Sequence, residues 1–363
     1  MAHIFPSFGY GGQQARFAAL ASGLGPSFHH HVIALDGDIS ARDLVSKSAA
    51  VEFQPMPLGK SLLSGVVNSW RLRRLFRRVR PSILCTYNWG SIEASLANAT
   101  GPNIAHIHFE DGFGPDETPD RQHSRRVLAR KLILGGAQIV VPSCDLRAVA
   151  VEKWGVKEER LHHILNGVDF ARFQGQQTAL RPAVTVGSIG ALRLEKNYGR
   201  LINAFPSADR SGKAHLKIIG DGSERENLAA LAKSSKARKR ITLPGATPAP
   251  EKNYKEFDVF ALSSDTEQAP LTVIEAMVSG LPVVATNVGD IAEMVSLENR
   301  AFITPPGDDG AYVDALSHLL QNPDARATIG AANRKKAKAE FGLEPMVERH
   351  RALYEKVLGN ALP

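Results

Sequence analysis

The sequence predicts an α/β protein built from two doubly wound, Rossmann-like domains facing a central cleft. Three observations carry that prediction. Short apolar runs alternate with amphipathic helical stretches along all 363 residues, the pattern of parallel sheets covered by helices on both faces. The length suits two domains of ordinary size, each able to bury its own core. The alternation lapses once, at residues 166–183 ("NGVDFARFQGQQTALRPA"), a turn-rich stretch without a clear period that reads as a linker.

The first domain is expected over residues 1–165. Its strands are predicted near 3–8 (HIFPSF), 31–35 (HVIAL), 82–86 (SILCT), 103–108 (NIAHIH) and 138–142 (QIVVP). The second is expected over 184–341, with strands near 184–188 (VTVGS), 215–219 (HLKII), 240–243 (RITL), 258–262 (DVFAL) and 282–286 (PVVAT). Each run is β-rich and gives way to a glycine-rich or polar loop, then to a helical period. Residues 342–363 read as a C-terminal helix that packs back toward the first domain.

Composition narrows the function. Hydrophobic residues make up 43% and charged residues 22%, which describes a globular chain rather than a disordered one. No apolar run is long enough to span a membrane. No basic segment precedes an apolar core, so a signal peptide is not expected. Cys85 and Cys144 are the only cysteines; they form neither a disulfide framework nor metal-ligand spacing, and they fit a reducing cytoplasm. The net charge of +7 favours an anionic partner. Nucleic acid is disfavoured, because aromatic content is only 7% and the basic residues are not interleaved with stacking platforms.

Four loops of the second domain follow strand ends: "GSIGALRLEKN" (187–197), "GDGSERENL" (220–228), "SSDTEQAPLT" (263–272) and "NVGD" (287–290). All four should open onto one sheet edge, where such sheets bind ligands. The helix starting near Leu271 presents free N–H groups there, and Arg193 and Lys196 add positive charge, a combination that suits a diphosphate. Gly190, Gly220 and Gly222 let backbone approach a ligand, or merely make βα turns. Glu275 and Glu267 are separated by seven residues. Glu275 lies just inside the helix, where the dipole favours a carboxylate that can accept from a sugar diol. Glu267 lies in the preceding loop. Taken singly, the first reads as a cap and the second as a solvated charge.

The stretch "EQAPLTVIEAMVSGLPVVATNVGD" resembles the E-x7-E motif of glycosyltransferase family 4, the retaining "group 1" enzymes of GT-B fold. "ILNGVDFARF", "GALRLEKN" and "IIGDGSERENL" resemble further landmarks of that family, in the right order. The resemblance covers essentially the whole chain and is strongest over 160–300. It implies transfer of a sugar, with retention, from a nucleoside diphosphate such as UDP or GDP to a sugar or lipid-linked acceptor in bacterial polysaccharide or glycolipid assembly. The donor is a substrate; no cofactor or metal is implied, since cations and helix ends neutralise the diphosphate. Glu275 would bind the ribose, Glu267 the donor sugar and Lys196 the diphosphate. Backbone around Leu271 and Thr272 would cap the phosphates, and "PGATPAP" (244–250) would touch the base. The family's arginine five residues before the lysine is Ala191 here; whether Arg193 substitutes for it stays open.

In the first domain, "FPSFGYGGQQARFAAL" places Gly9, Gly11 and Gly12 between a strand and a helix. In the resembling family this loop faces the donor phosphates, with Gly11 and Gly12 nearest. The same loop, with Asp36 ending the next strand, approximates a dinucleotide fingerprint, so an NAD(P)-dependent oxidoreductase is the alternative. "DGD" (36–38) reads as a turn rather than a metal motif. "HIHFEDGFGPDE" (106–117) gathers His106, His108, Glu110 and Asp111, with the two histidines on one strand face. The resemblance puts a histidine here, close to the donor sugar; His108 or Asp111 takes its place, and an ordinary packed histidine is the plainer reading. Finally, "WRLRRLFRRVRP" (70–81) predicts a helix ending before Pro81. Leu72, Leu75, Phe76 and Val79 should pack on the sheet, leaving six arginines and Trp70 as a solvated face or as a peripheral dock for an anionic membrane.

Overall fold

The computed structural model describes residues 1–59, 64–113, 117–173 and 183–359. The chain divides into two compact units, residues 1–166 with 343–363, and residues 167–342.

The first unit holds a seven-stranded sheet of β1 (Ala2–Phe5), β2 (His30–Ala34), β3 (Val51–Pro55), β4 (Ile83–Tyr87), β5 (Ala105–Phe109), β6 (Gln138–Val141) and β7 (Leu161–His163). Every pairing is parallel and the order is β3-β2-β1-β4-β5-β6-β7. The central strands are covered on both faces, so β1 and β4 read as unbroken buried runs rather than alternating ones. The main covering helices are α1 (Gly12–Leu24), α2 (Ser64–Val79), α3 (Ile92–Ala99), α4 (Ser124–Ile133) and α5 (Cys144–Glu152).

The second unit begins with the short helix α6 (Phe170–Phe173), inside the stretch expected as linker; residues 174–182 of that stretch lie outside the described residues. Its six-stranded sheet contains β8 (Thr185–Ile189), β9 (His215–Ile219), β10 (Ile241–Gly245), β11 (Val259–Leu262), β12 (Val283–Thr286) and β13 (Ile303–Thr304). The order is β10-β9-β8-β11-β12-β13, again all parallel. Helices α7 (Tyr198–Ala208), α8 (Arg225–Ser234), α9 (Pro250–Tyr254), α10 (Leu271–Val278), α11 (Ile291–Met294), α12 (Asp309–Gln321) and α13 (Pro323–Glu340) complete it. The last helix, α14 (Leu343–Leu358), rejoins the first unit, where Met346, Val347, Leu353 and Tyr354 enter the core around Phe17 and Leu20 of α1.

Ten of the thirteen strands lie within a few residues of the sequence expectation. The other three, β3, β7 and β13, are rim strands. β3 buries no residue fully and β13 has two residues, so the apolar run that betrays an interior strand is missing. β1 ends at Phe5, three residues early, because Pro6 has no N–H to continue the ladder. α2 starts at Ser64 rather than Trp70 and stops at Val79; Arg80 follows at φ 48°.

Candidate active site

In each sheet the chain leaves the middle toward one rim and returns to the other. The turning point lies between β8 and β11 in the second unit and between β1 and β4 in the first. Adjacent loops at such a point diverge and leave a crevice at the carboxyl ends of the strands.

The four loops predicted to share an edge do so, and they interlock. Leu192 N–H donates to Asp221 O at 2.9 Å and Glu224 N–H to Leu192 O at 2.9 Å, which zips the loop after β8 to the loop after β9. Gly220, at φ 155°, lies so close to that neighbour that a Cβ there would sit 1.8 Å from Gly190 O; only glycine fits. On the other side Asp265 N–H donates to Glu195 O at 2.8 Å and Ser263 Oγ to Lys196 O at 3.2 Å. The loop after β12 closes the row: Asp290 N–H donates to Gln268 O at 2.9 Å.

Across the β8/β11 turning point, Lys196 Nζ reaches Glu267 Oε1 at 2.5 Å. Ser264 Oγ donates to the same oxygen at 2.7 Å. Both members are part-buried, so the pair is poorly screened. Arg193, three residues earlier, is exposed, and Ala191 is half-buried on the loop that packs against β9's. Directly after Gln268 and Ala269, Pro270 caps α10, leaving the first-turn N–H groups of Leu271 and Thr272 at this edge. One turn in, Glu275 Oε2 accepts from Tyr254 Oη at 2.7 Å. Part of the residue still meets solvent, yet its carboxyl group is desolvated, and that burial pushes its pKa up to about 7 against the pull of the Tyr254 hydrogen bond and the Arg172 charge.

The first unit's edge is built differently. Gly11 caps α1 in an extended conformation and Gly12 begins the helix; both are exposed. One turn further along α1, the buried Arg16 clasps both oxygens of Asp111, Nη2 to Oδ2 at 2.8 Å, and Gln13 Nε2 donates to Oδ2 at 2.5 Å. Asp111 N–H is held by Asn88 Oδ1 at 2.7 Å. The loops after β4 and β5 are thereby tied to the start of α1. His108 stands elsewhere. It is 1% exposed, with Nδ1 2.8 Å from Thr86 Oγ1 and Nε2 3.5 Å from Glu110 Oε2. His106 Nε2 meets the same threonine hydroxyl at 2.8 Å, so the two histidines do share a face, directed at Thr86. Glu110 continues inward to Arg130, which lies between the rings of Trp89 and Trp154 and also meets Glu117. Of the two positions left open, His108 is therefore enclosed in this buried network and Asp111 stands at the strand-end edge. Asp36 folds into a turn by accepting Asp38 N–H at 2.8 Å.

The sequence did not reveal Tyr254, Ser264 or Arg16. Each meets its carboxylate through tertiary contact, except Ser264, whose three-residue spacing from Glu267 was a readable signal for a local hydrogen bond.

Two family models match this chain. "Glycosyltransferase Family 4" matches residues 10–172 and "Glycosyl transferases group 1" residues 172–336. An uncharacterized glycosyltransferase of Haemophilus influenzae is 29% identical, over 78% of this chain and 79% of that protein. The N-acetyl-alpha-D-glucosaminyl L-malate synthase of Bacillus anthracis is 25% identical, over 64% of this chain and 59% of that one. Among solved structures, sucrose-phosphate synthase from Thermosynechococcus elongatus superposes with a TM-score of 0.82 at 19% identity, covering 99% of both chains. HepE of Anabaena in complex with UDP superposes with a TM-score of 0.79 at 16% identity, covering 98% and 99%. These likenesses show the GT-B fold, and none of these relatives supports the oxidoreductase alternative.

Proposed function

Because the chain belongs to the group 1, family 4 glycosyltransferases and is thus a glycosyltransferase, we propose a specific reaction for it. It moves a sugar from a nucleoside diphosphate to an acceptor hydroxyl with retention at the anomeric carbon. The observation that carries this reading is the Lys196–Glu267 pair at the β8/β11 turning point, beside the first turn of α10. Charge builds on the departing diphosphate in the transition state. Lys196 and the Leu271 and Thr272 N–H groups are preorganised to meet it, and Arg193, exposed on the same loop, adds a second cation. Glu267 accepts from donor-sugar hydroxyls and Glu275 from the ribose diol. The β-phosphate oxygen takes the acceptor proton, so no separate general base is required. HepE is seen with UDP, which makes a uridine nucleotide the first donor to try.

The acceptor is a sugar or lipid-linked hydroxyl of bacterial polysaccharide or glycolipid assembly, met at the first unit's edge near Asp111. Among the described residues no helix is long and apolar enough to cross a membrane. A lipid-linked acceptor would be reached instead through α2, whose outer face exposes Val66, Val67 and Trp70 beside Arg74, Arg77 and Arg78.

A panel of UDP- and GDP-sugars in a thermal-shift assay tests the donor site, since a ligand bound only by the folded state raises its melting temperature. At least one should raise it for the wild type, and Glu275→Ala should remove the rise. No rise with any member would sink the reading.

A further inference from the structure

We propose that Tyr254 is a positioning residue: it fixes one oxygen of the Glu275 carboxylate and leaves the other as the acceptor for the ribose diol of the donor. This deepens the donor site proposed above and rests on it.

The geometry is specific. Tyr254 ends α9, its side chain fully buried and ringed by Phe173, Phe257 and Phe260 at centroid distances of 5.7, 5.9 and 5.7 Å. Three aromatic neighbours leave the phenol little freedom to turn. Its hydroxyl lies 2.7 Å from Glu275 Oε2 and 3.2 Å from Thr272 O. It therefore touches both the carboxylate and the first turn of α10, the two parts of the edge assigned to ribose and phosphate. Among the described residues no hydrogen bond reaches Oε1. A buried tyrosine hydroxyl needs an acceptor, and Thr272 O alone would supply one; a hydroxyl that lies closer to a half-open carboxylate also sets that group's direction.

The surroundings make the arrangement sensitive to pH. A diol donates two hydrogen bonds, so it favours the ionised carboxylate over the protonated one. Two groups besides Tyr254 bear on Glu275. Arg172 of α6 favours the ionised form, Glu251 of α9 disfavours it, and those two meet each other at 3.1 Å. Helix α13 brings Arg334 to Gly280, beyond the far end of α10, and the neighbouring strand β12 carries no charged side chain. Desolvation outweighs all of these and holds the carboxylate poised near neutrality. Donor binding should then track its ionisation, and Tyr254 should set where that happens.

The test is calorimetric titration of the full chain with the nucleotide-sugar that the panel selects, from pH 5.5 to 8.5. Wild-type affinity should climb with pH and level off, about tenfold weaker one unit below the midpoint than on the plateau. Tyr254→Phe keeps the ring and removes the hydroxyl. Its plateau should be lower and its midpoint should move to higher pH, because the ionised form has lost a donor. Arg172→Gln should move the midpoint the same way, and Glu275→Gln should flatten the profile. A flat wild-type profile overturns the proposal. So does a Tyr254→Phe profile whose midpoint is unmoved, whether or not affinity drops uniformly, for that is what a packing role alone produces. In both cases donor binding persists and the donor site stands. Absence of binding by the wild type at every pH removes the donor site itself, a distinguishable outcome.

Discussion

Lys196 and Glu267 hold each other at 2.5 Å in the free protein, so each is the other's counter-ion until substrate arrives. Removing Lys196 strands a part-buried carboxylate and also deletes the cation assigned to the diphosphate. Lys196→Ala should therefore slow transfer by roughly 2–4 kcal/mol, the scale of a lost preorganised charge. Glu267→Ala should lower kcat more than nucleotide affinity, since its proposed partner in the complex is the sugar rather than the nucleotide. Steady-state kinetics of both variants, with nucleotide affinity measured separately, decide the matter; wild-type kcat/KM in both would mean that the site is misplaced. At this scale the sequence was most informative where a residue acts through its own loop. Lys196, Glu267, Gly220 and Glu275 could be placed at one sheet edge because helix starts and strand ends fix them locally. Tyr254 and Arg16 could not, because their roles depend on which elements lie side by side: Tyr254 is 21 residues from its carboxylate and Arg16 is 95 from its own. His108 shows the converse. Its residue type suggested chemistry, and only burial reveals how fully Thr86 and Glu110 engage it.

Among the elements, α2 was legible in its inner face and only half legible in its outer one. Leu72, Leu75 and Phe76 are buried and Val79 packs beside them, as the helical period requires. The six arginines do not form one free face. Arg73 donates to Ala97 O and Thr100 Oγ1, Arg71 to Pro57 O, and Arg78 to Gln54 Oε1. Sequence periodicity places a side chain on a face; it does not say which neighbouring loop takes up its charge. What remains outermost is Arg74 over the ring of Trp70, with Arg77, Arg78 (still exposed despite its bond to Gln54) and the exposed Val66 and Val67. Near an anionic leaflet each of those arginines contributes about 1 kcal/mol, and a tryptophan flanked by valines suits the interface. We expect the protein to cosediment with phosphatidylserine-containing vesicles but not with neutral ones, and salt to weaken the binding. Replacing Arg74, Arg77 and Arg78 by Gln should abolish it while leaving donor affinity unchanged. Arg73 is left out because its bonds hold α2 to α3, so its loss would confound docking with folding. Wild-type protein that ignores anionic vesicles at low salt would exclude this dock and point to a soluble acceptor.

The two units carry different titratable interiors, and that difference predicts opposite responses to acid. In the first unit His3 and His30 bond each other at 3.0 Å, and His3 also meets Tyr87 Oη at 2.9 Å. Burial drives the pKa of His3 well down, and lowers His30 and His106 to about 3 and His350 to about 4. Folded, these rings stay neutral; unfolded, they take up protons below their ordinary 6.5. The unfolded chain thus binds more protons as pH falls through 6.5, and each such ring withdraws up to about 1.4 kcal/mol of stability per pH unit until its folded pKa is reached. The second unit has the opposite entry in Glu275. Raised to about 7 in the fold from 4.5, it binds its proton in the folded state first, so acidification from 7 toward 4.5 favours folding there. None of this was visible in the chain as a string: twelve histidines are counted easily, but which of them are sealed from solvent depends on α14 returning to α1 and on the sheet order around β1. Amide hydrogen exchange read by mass spectrometry at pH 7 and at pH 5, corrected for the intrinsic rate, gives the check. Protection in β1, β2, β4 and β5 should fall at pH 5, while protection in β8, β11 and β12 holds or rises. Equal losses in both sheets would show that general charge repulsion in a basic protein, rather than these buried rings, sets its acid stability.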